Sequence, residues 1–263
     1  MLKSNIPNYI DELDYFTDLA NAKTTDDIHA LCGRITRDYG YDNFAYVLTI
    51  SNSVHKPDVY AVSNYSNDWL EHYVSHQYMG VDPIIKHCLA GNTQVVWSRV
   101  FDRVTRTQLA ARVMQEAGEF GLKDGVTFPI HGAYGDHGLL SFSRSRSIDS
   151  NDVNFLHSLA YLYFLSVQIH ETAYRIFSKP NGPVQCLQLS GRQHDCLSWA
   201  AEGKTNWEIA QILNLSESTV KMHIAHACQR LGVFNKQQAV AKAISLGLIG
   251  HQNPILIKQA NIF

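Results

Sequence analysis

Residues 189–233 read LSGRQHDCLSWAAEGKTNWEIAQILNLSESTVKMHIAHACQRLGV, and their spacing decides the architecture of the C-terminal quarter. Ser190 with Gln193 three residues on has the form of a capping box, ahead of the apolar run around Cys196 and Leu197. A second start follows at Lys204-Thr205-Asn206, then a short helix Trp207–Leu213, a turn Asn214-Leu215-Ser216 and a helix Glu217–Leu231. A last helix runs from Asn235-Lys236 through Leu246 and is closed by Gly247. Within Glu217–Leu231, Val220, Ile224, Ala227 and Leu231 recur at i, i+4, i+7 and i+11, one apolar stripe. Ile209, Ala210 and Leu213 face it, Leu215 plugs the turn, and small Ala210 permits a tight crossing. The opposite side presents Ser218, Lys221, Met222, Ala225 and Gln229, with Thr219, His223 and His226 beside them. That face is short-chained and polar near its start, so it can enter a major groove and reach base edges. Lys204, Thr205 and Lys236 stand at or near helix starts, where side chains and backbone N–H groups grip phosphate. The same spacing also fits a helical hairpin that only packs or dimerises.

Upstream, residues 177–188, FSKPNGPVQCLQ, place two prolines and a glycine within four positions, which no regular helix or strand accommodates. The chain therefore divides into residues 1–177, a linker 178–188, a helical module 189–250 and a tail 251–263 read as disordered by default. Charge follows the division. Residues 189–250 hold six Lys and Arg against four Asp and Glu, net +2, whereas residues 1–188 hold fifteen against twenty, net −5. The sign places any polyanion on the C-terminal part.

In residues 1–177 helical and strand-like stretches alternate. Asp11–Ala22 and Asp26–Tyr39 carry apolar residues at helical spacing, the second entered through Thr24-Thr25-Asp26. Asn43–Ile50 and Asp58–Ser63 read as strands, Asn67–Gln77 as a helix, Val95–Trp97 as a short strand and Thr105–Phe120 as a helix. Gly125–His131 and Gly138–Arg144 form a hairpin, and a long helix Ser150–Ile176 closes the domain. Five strands flanked by helices on two faces predict an α/β/α sandwich with a five-stranded antiparallel sheet, followed by a four-helix all-α helix-turn-helix domain.

Of 263 residues, 45% are hydrophobic and 17% charged, too apolar for a disordered chain, and the net charge of −2 excludes a polycation that coats nucleic acid. Five cysteines, with no C-x-x-C pair, read as reduced thiols and not a metal finger. No apolar run approaches the ~20 residues of a membrane span, and the first sixteen residues lack a signal peptide's apolar core. The expectation is a cytoplasmic protein with no membrane partner, no metal and no cofactor.

Candidate binding residues cluster in the first part. Trp69 and Tyr73 lie four apart on one helical face; Tyr78, Asp82-Pro83 and Trp97 follow, and the hairpin offers Thr127 and Ser141. Aromatic rings supply an apolar wall, and a carboxylate with a few hydroxyls fixes a small polar head. The competing readings are an ordinary aromatic core and, for Asp82 before a proline, a helix cap.

These motifs carry a resemblance. GKTNWEIAQILNLSESTVKMHIAHACQRLGV with NKQQAVAKAISLGLI resembles the DNA-binding domain of LuxR-type transcription regulators across the whole C-terminal module. Gln193 stands where that family usually has Glu, His226 where Asn is common and Met222 where Phe is common. NYSNDWLEHYVSHQYMGVDPI, VVWS and GLKDGVTFPIHGAYGDHGLLSFS are similar to the family's acyl-homoserine-lactone-binding domain, over about residues 10–175. The resemblance implies that Trp69 donates its indole N–H to a lactone carbonyl and Asp82 accepts the ligand amide N–H, while Tyr65 and Ser141 donate to the acyl carbonyl. Tyr73, Pro83, Trp97, Phe101 and Leu122 would wall the ring and chain, Gly125 would leave room for packing and Thr127 would line the polar end. Leu70 replaces an Arg that in some members holds water near a 3-oxo group, which implies an N-acyl-homoserine lactone without that oxygen. A homodimer on a two-fold operator in double-stranded DNA follows from the same resemblance.

Three other functions fit parts of the sequence. One is a regulator answering a different small molecule, or none. An enzyme acting on a lactone would use His87, Cys88 and Asp82, yet no G-x-S-x-G elbow or H-x-H-x-D-H stretch is present. A phosphorylated response regulator would need parallel βα units with acidic strand ends, which the first part lacks.

Overall fold

The computed structural model describes residues 9–50, 57–91, 93–104, 107–132, 136–149, 152–178 and 189–250; of these, the side chains of 9–13 and 101–104 lie outside the description. Residues 179–188 of the linker, the tail 251–263, Cys186 and most of the hairpin turn fall beyond the described residues. Two compact units result, and the main break between them falls after Ser178.

The first unit opens with helices α1 (Tyr9–Asn21) and α2 (Thr25–Asp38). Thr24 caps α2 reciprocally with Asp27, which satisfies donors that a helix start otherwise leaves bare. Strands β1 (Asn43–Ile50) and β2 (Asp58–Ser63) follow, then α3 (Asn67–Ser75), a single 3₁₀ turn Tyr78–Gly80, α4 (Pro83–Ala90), β3 (Val95–Val96), α5 (Trp97–Val104) and α6 (Gln108–Glu119). Strands β4 (Asp124–His131) and β5 (His137–Arg144) lead to the long α7 (Val153–Phe177).

The sheet order is β2-β1-β5-β4-β3, with β1–β5, β5–β4 and β4–β3 antiparallel. Side chains alternate between faces along a strand, so register sorts the residues. Phe44, Tyr46, Leu48, Phe128, Leu140 and Phe142 share one face and are wholly buried. There Phe44 meets His29 of α2, while Tyr46 and Phe128 meet His170 and Tyr163 of α7. Gly125, Thr127, Ser141 and Ser143 face the other way, paired as Gly125↔Ser143 and Thr127↔Ser141. Helices on both faces make the expected α/β/α sandwich.

The structure corrects the sequence reading in four places. Helix α4 and helix α5 were not foreseen, and Trp97 opens α5 instead of ending a strand. In addition, Asn67–Gln77 stops at Ser75, and the helix expected from Thr105 begins at Gln108.

The second unit is helical: α8 (Gly191–Ala201), α9 (Asn206–Leu213), α10 (Glu217–Leu231) and α11 (Lys236–Ser245). The Ser190–Gln193 capping box forms, and Thr205 makes a second one with Glu208. Asn214, at φ 52°, turns the chain through the left-handed region between α9 and α10, a conformation Asn tolerates better than most residues. Val220, Ile224, Ala227 and Leu231 are all buried; the first two pack with Cys196, Ile209 and Ala210, the last two with Leu197, Ala239 and Ala243. Among the described residues four cysteines are free thiols, no helix is long and apolar enough to cross a membrane, and no group of three or more metal-ligating side chains occurs.

Candidate ligand site and nucleic-acid interface

On the face of the sheet opposite α7, one apolar cluster joins Trp69, Tyr78, Ile84, Cys88, Val95, Trp97, Val100, Val113, Ala117 and Leu122, edged by Tyr65 and Tyr73. Trp69 is 4% exposed and sits at the centre of a ring cage: Tyr73 edge-on at 5.6 Å, Phe120 at 5.3 Å and Tyr78 at 6.4 Å. Its indole Nε1 has no hydrogen-bond partner among the described residues.

Asp82 borders this cluster and does two things at once. Its Oδ1 accepts the Ile84 and Ile85 amides at 2.7 and 3.3 Å, capping α4 with Pro83 at the first helical position. Its Oδ2 accepts the Tyr73 hydroxyl at 2.8 Å. A carboxylate oxygen has two lone pairs, so Oδ2 retains one for a further donor. The cap and the binding role are therefore compatible and do not compete. Burial pushes the Asp82 carboxyl above its ordinary value, opposed by the bonds from Tyr73, Ile84 and Ile85. Burial also raises the Tyr73 phenol, with the Asp82 charge and hydrogen bond adding to it, so Tyr73 stays a donor.

A hydroxyl strip from the sheet completes the polar side. Trp97 Nε1 donates to Thr127 Oγ1 at 2.9 Å, Thr127 pairs with Ser141 Oγ at 2.9 Å, and Ser143 Oγ donates to Tyr65 OH at 3.5 Å. Burial pushes the Tyr65 phenol up to about 12, so it too is a donor at neutral pH. Thr127 and Ser141 are thus held by Trp97 and each other. Gly125 leaves the space the resemblance implied: a Cβ there would stand 3.0 Å from Trp97 Cε2.

Of the ten expected ligand-site residues, Tyr65, Trp69, Tyr73, Trp97 and Leu122 lie in or against the cluster, Asp82 and buried Pro83 join it through Tyr73 and Ile84, and Thr127 and Ser141 join through Trp97. The side chain of Phe101 lies outside the description. The sequence reading missed the contribution of α6, although Ala110, Val113 and Ala117 recur there at helical spacing. His87 is exposed, and burial pushes the neighbouring Cys88 thiol up to about 12, so that thiol is a packing group and not a thiolate nucleophile.

In the helical unit, Ser218, Lys221, Met222, Ala225 and His226 are exposed along α10, with Thr219 and His223 half-buried beside them. Ser216 caps α10, and its Oγ also meets Ser218 and Thr219 hydroxyls at 2.7 Å each. Lys221 Nζ is 2.8 Å from Glu217. Lys236 Nζ donates to the Lys204 carbonyl at 3.3 Å, which draws the starts of α9 and α11 together. Thr205 spends its hydroxyl on Glu208. A groove of about 500 Å³ runs between these starts and α10, lined in part by Asn206, Lys221, Gln229 and Lys236.

A small-molecule receptor module joined to a module that reads duplex DNA makes a ligand-responsive transcription regulator, the class to which this architecture points. A family model described as "Autoinducer binding domain" matches residues 24–173, and one described as "Bacterial regulatory proteins, luxR family" matches residues 187–243. The transcriptional activator protein AhyR of Aeromonas hydrophila is 34% identical over 244 residues, 91% of each chain. VanR of Vibrio anguillarum, another transcriptional activator protein, is 35% identical over 235 residues, 88% of this chain and 93% of that one. Escherichia coli SdiA shares the fold, with TM-score 0.69 at 23% identity over 90% of this chain and 97% of that one. SdiA in complex with octanoyl-rac-glycerol gives TM-score 0.66 at 22% identity over 94% and 98%. The chain belongs to the LuxR family of bacterial transcription regulators, an autoinducer-binding domain followed by a LuxR-type helix-turn-helix DNA-binding domain.

Proposed function

We propose that this regulator is a cytoplasmic transcriptional activator whose N-terminal unit binds an N-acyl-homoserine lactone and whose homodimer then holds a two-fold operator. The observation that carries the ligand reading is Asp82: a half-buried carboxylate beside an aromatic cage, with one acceptor position left after Tyr73 and the α4 amides are served. Asp82 takes the ligand amide N–H, Trp69 donates to the lactone carbonyl, and Tyr65 with Ser141 donates to the acyl carbonyl. Tyr73 holds Asp82 in place, and Pro83, Trp97, Leu122 and Thr127 form the wall. Each CH₂ of the acyl chain buried there adds about 0.8 kcal/mol.

Leu70 is 40% exposed and offers no cation, which supports a chain without a 3-oxo group. Reporter titration with octanoyl- and 3-oxo-octanoyl-homoserine lactone is expected to give the lower half-maximal concentration for the unsubstituted compound; the reverse order removes this part of the proposal. A second reading is favoured by the complex of SdiA with octanoyl-rac-glycerol, because a glycerol hydroxyl donates to a carboxylate as an amide does. Mass spectrometry of ligand extracted from the purified protein separates the two.

The dimer reading is supported by α7, where Val153, Leu156, Tyr163 and Phe164 leave large apolar side chains 42–62% exposed. For DNA, α10 supplies base contacts through Ser218, Thr219, Lys221, Met222, His223, Ala225 and His226, and Lys204, Thr205 and Lys236 hold phosphate. Lys236→Ala is expected to weaken operator and non-operator binding alike. It should flatten the slope of log K against log salt by about one unit, read by fluorescence anisotropy. A change confined to operator DNA contradicts the phosphate role.

A further inference from the structure

The segment from α3 through the 3₁₀ turn carries Trp69, Tyr73 and Tyr78 and leads into Asp82, so it forms one wall of the aromatic cage. One carboxylate on α6 fastens that wall. Glu116 Oε2 meets His72 Nε2 of α3 at 2.7 Å and accepts the hydroxyl of Tyr78, and Glu116 Oε1 accepts Arg112 Nε at 2.6 Å. Tyr78 is 1% exposed, yet its hydroxyl reaches outward to this clamp. Hydrogen bonds from Tyr78, Arg112 and His72 hold the Glu116 carboxyl down to about 2, so it is ionised throughout the neutral range. The segment also has a joint. Gln77, between α3 and the 3₁₀ turn, lies at φ 54° and ψ 38°, a left-handed conformation unusual for a residue with a side chain. On the outer side of the cage, its ring Phe120 and the neighbouring His72 cover Trp69 at 5.3 and 6.0 Å, and beyond them opens a surface cleft of about 490 Å³ lined by His72, Arg112, Glu116 and Phe120. Trp69 is thus one ring away from solvent at this point.

We propose that Glu116 is the latch of a ligand port: the α3–3₁₀ segment parts from α6 about Gln77 to admit and release the acyl ligand, and the clamp on His72 and Tyr78 sets how often it opens. The proposal rests on the reading of the Asp82 cage as the ligand site. Glu116 stands outside the cage and stabilises the closed wall whether or not ligand is inside. Loosening it therefore speeds entry and exit together and leaves the equilibrium nearly untouched, whereas losing a ligand contact speeds exit alone.

The test uses the full chain and tritiated N-octanoyl-homoserine lactone, with association and dissociation rates measured by exchange. Glu116→Gln is expected to raise both rates about tenfold or more, the order of one lost charged hydrogen bond, with Kd within about twofold of wild type. Tyr78→Phe, which keeps the buried ring, is expected to raise both by a smaller factor and carries the comparison if Glu116→Gln does not fold. Unchanged rates in both variants overturn the latch, as does a faster dissociation matched by an equal loss of affinity. Asp82→Asn reports separately on the site: it is expected to speed dissociation only. Wild-type-like binding in Asp82→Asn, or no binding of the lactone by the wild type, overturns the site reading itself.

Discussion

Asp82→Asn is expected to weaken ligand binding roughly 10- to 150-fold, the range of a charged hydrogen bond of about 1.5–3 kcal/mol. The substitution keeps an Oδ1 that can still accept the Ile84 and Ile85 amides, so the α4 cap survives. It replaces the oxygen that Tyr73 serves with an NH₂ group, which turns a donor toward the ligand's own N–H. Asp82→Ala loses more: the cap, worth about 1 kcal/mol of stability, and the acceptor of the half-buried Tyr73 hydroxyl. Comparing the two by thermal melts without ligand and by calorimetry with it separates stability from recognition. Equal affinity in Asp82→Asn and wild type would remove the carboxylate from recognition.

The same group sets a pH dependence. The folded carboxyl lies above its unfolded value because of burial, so its contribution to stability is fully present below the ordinary Asp range. That contribution is lost as pH rises through the folded value, where the protein must hold a desolvated charge. A ligand amide N–H favours the charged form and offsets this loss. Ligand is therefore expected to raise the melting temperature more at neutral pH than below the Asp82 transition, and to bind with proton release inside it. In Asp82→Asn both effects should vanish.

What the sequence discloses tracks how local each signal is. The helical unit was legible because the Ser190–Gln193 capping box works within three residues and the Val220–Leu231 stripe lies on one helix. Strand β1 was legible because its burial alternates residue by residue. Helix α5 was not, and the reason is specific: it starts directly on β3, and its first turn is satisfied by Asp124, whose Oδ1 accepts the Ser98 amide from 26 residues away. No local capping pattern marks such a start. Helix α4 carries the Asp-Pro signal plainly, and the two oxygens of Asp82 show why a cap need not exclude a second role: Oδ1 takes the α4 amides while Oδ2 takes Tyr73. The Glu116 clamp was invisible for the same reason as α5, since its partners lie 38 and 44 residues distant.

Gly125 shows how tightly the sheet and the cage are joined. The residue sits on β4 opposite Ser143, facing the cage, in the interior of the five-stranded sheet. A Cβ added there would stand 2.5 Å from the Phe142 carbonyl oxygen, 3.1 Å from Ser143 Cα and 3.0 Å from Trp97 Cε2. Two of these three neighbours are backbone of the paired strand and cannot step aside without opening the β4–β5 ladder. The third is the ring that donates to Thr127. Gly125→Ala is therefore expected to destabilise the N-terminal unit by about 1–3 kcal/mol, or roughly 2–12 °C in melting temperature for a domain of this size. Gly138 makes an informative comparison, because an added Cβ there collides with the His170 ring, a side chain, on the opposite face of the sheet. His170 bonds Tyr46 on the α7 face of the sheet, so Gly138→Ala should lower stability while a folded fraction still binds ligand normally. Gly125→Ala should lose both, because pushing Trp97 away takes Thr127 and Ser141 with it. Trp97→Phe in the Gly125→Ala background should restore little, since the backbone collisions persist. A melting temperature for Gly125→Ala within a degree of wild type would mean that the strands yield where the packing says they cannot.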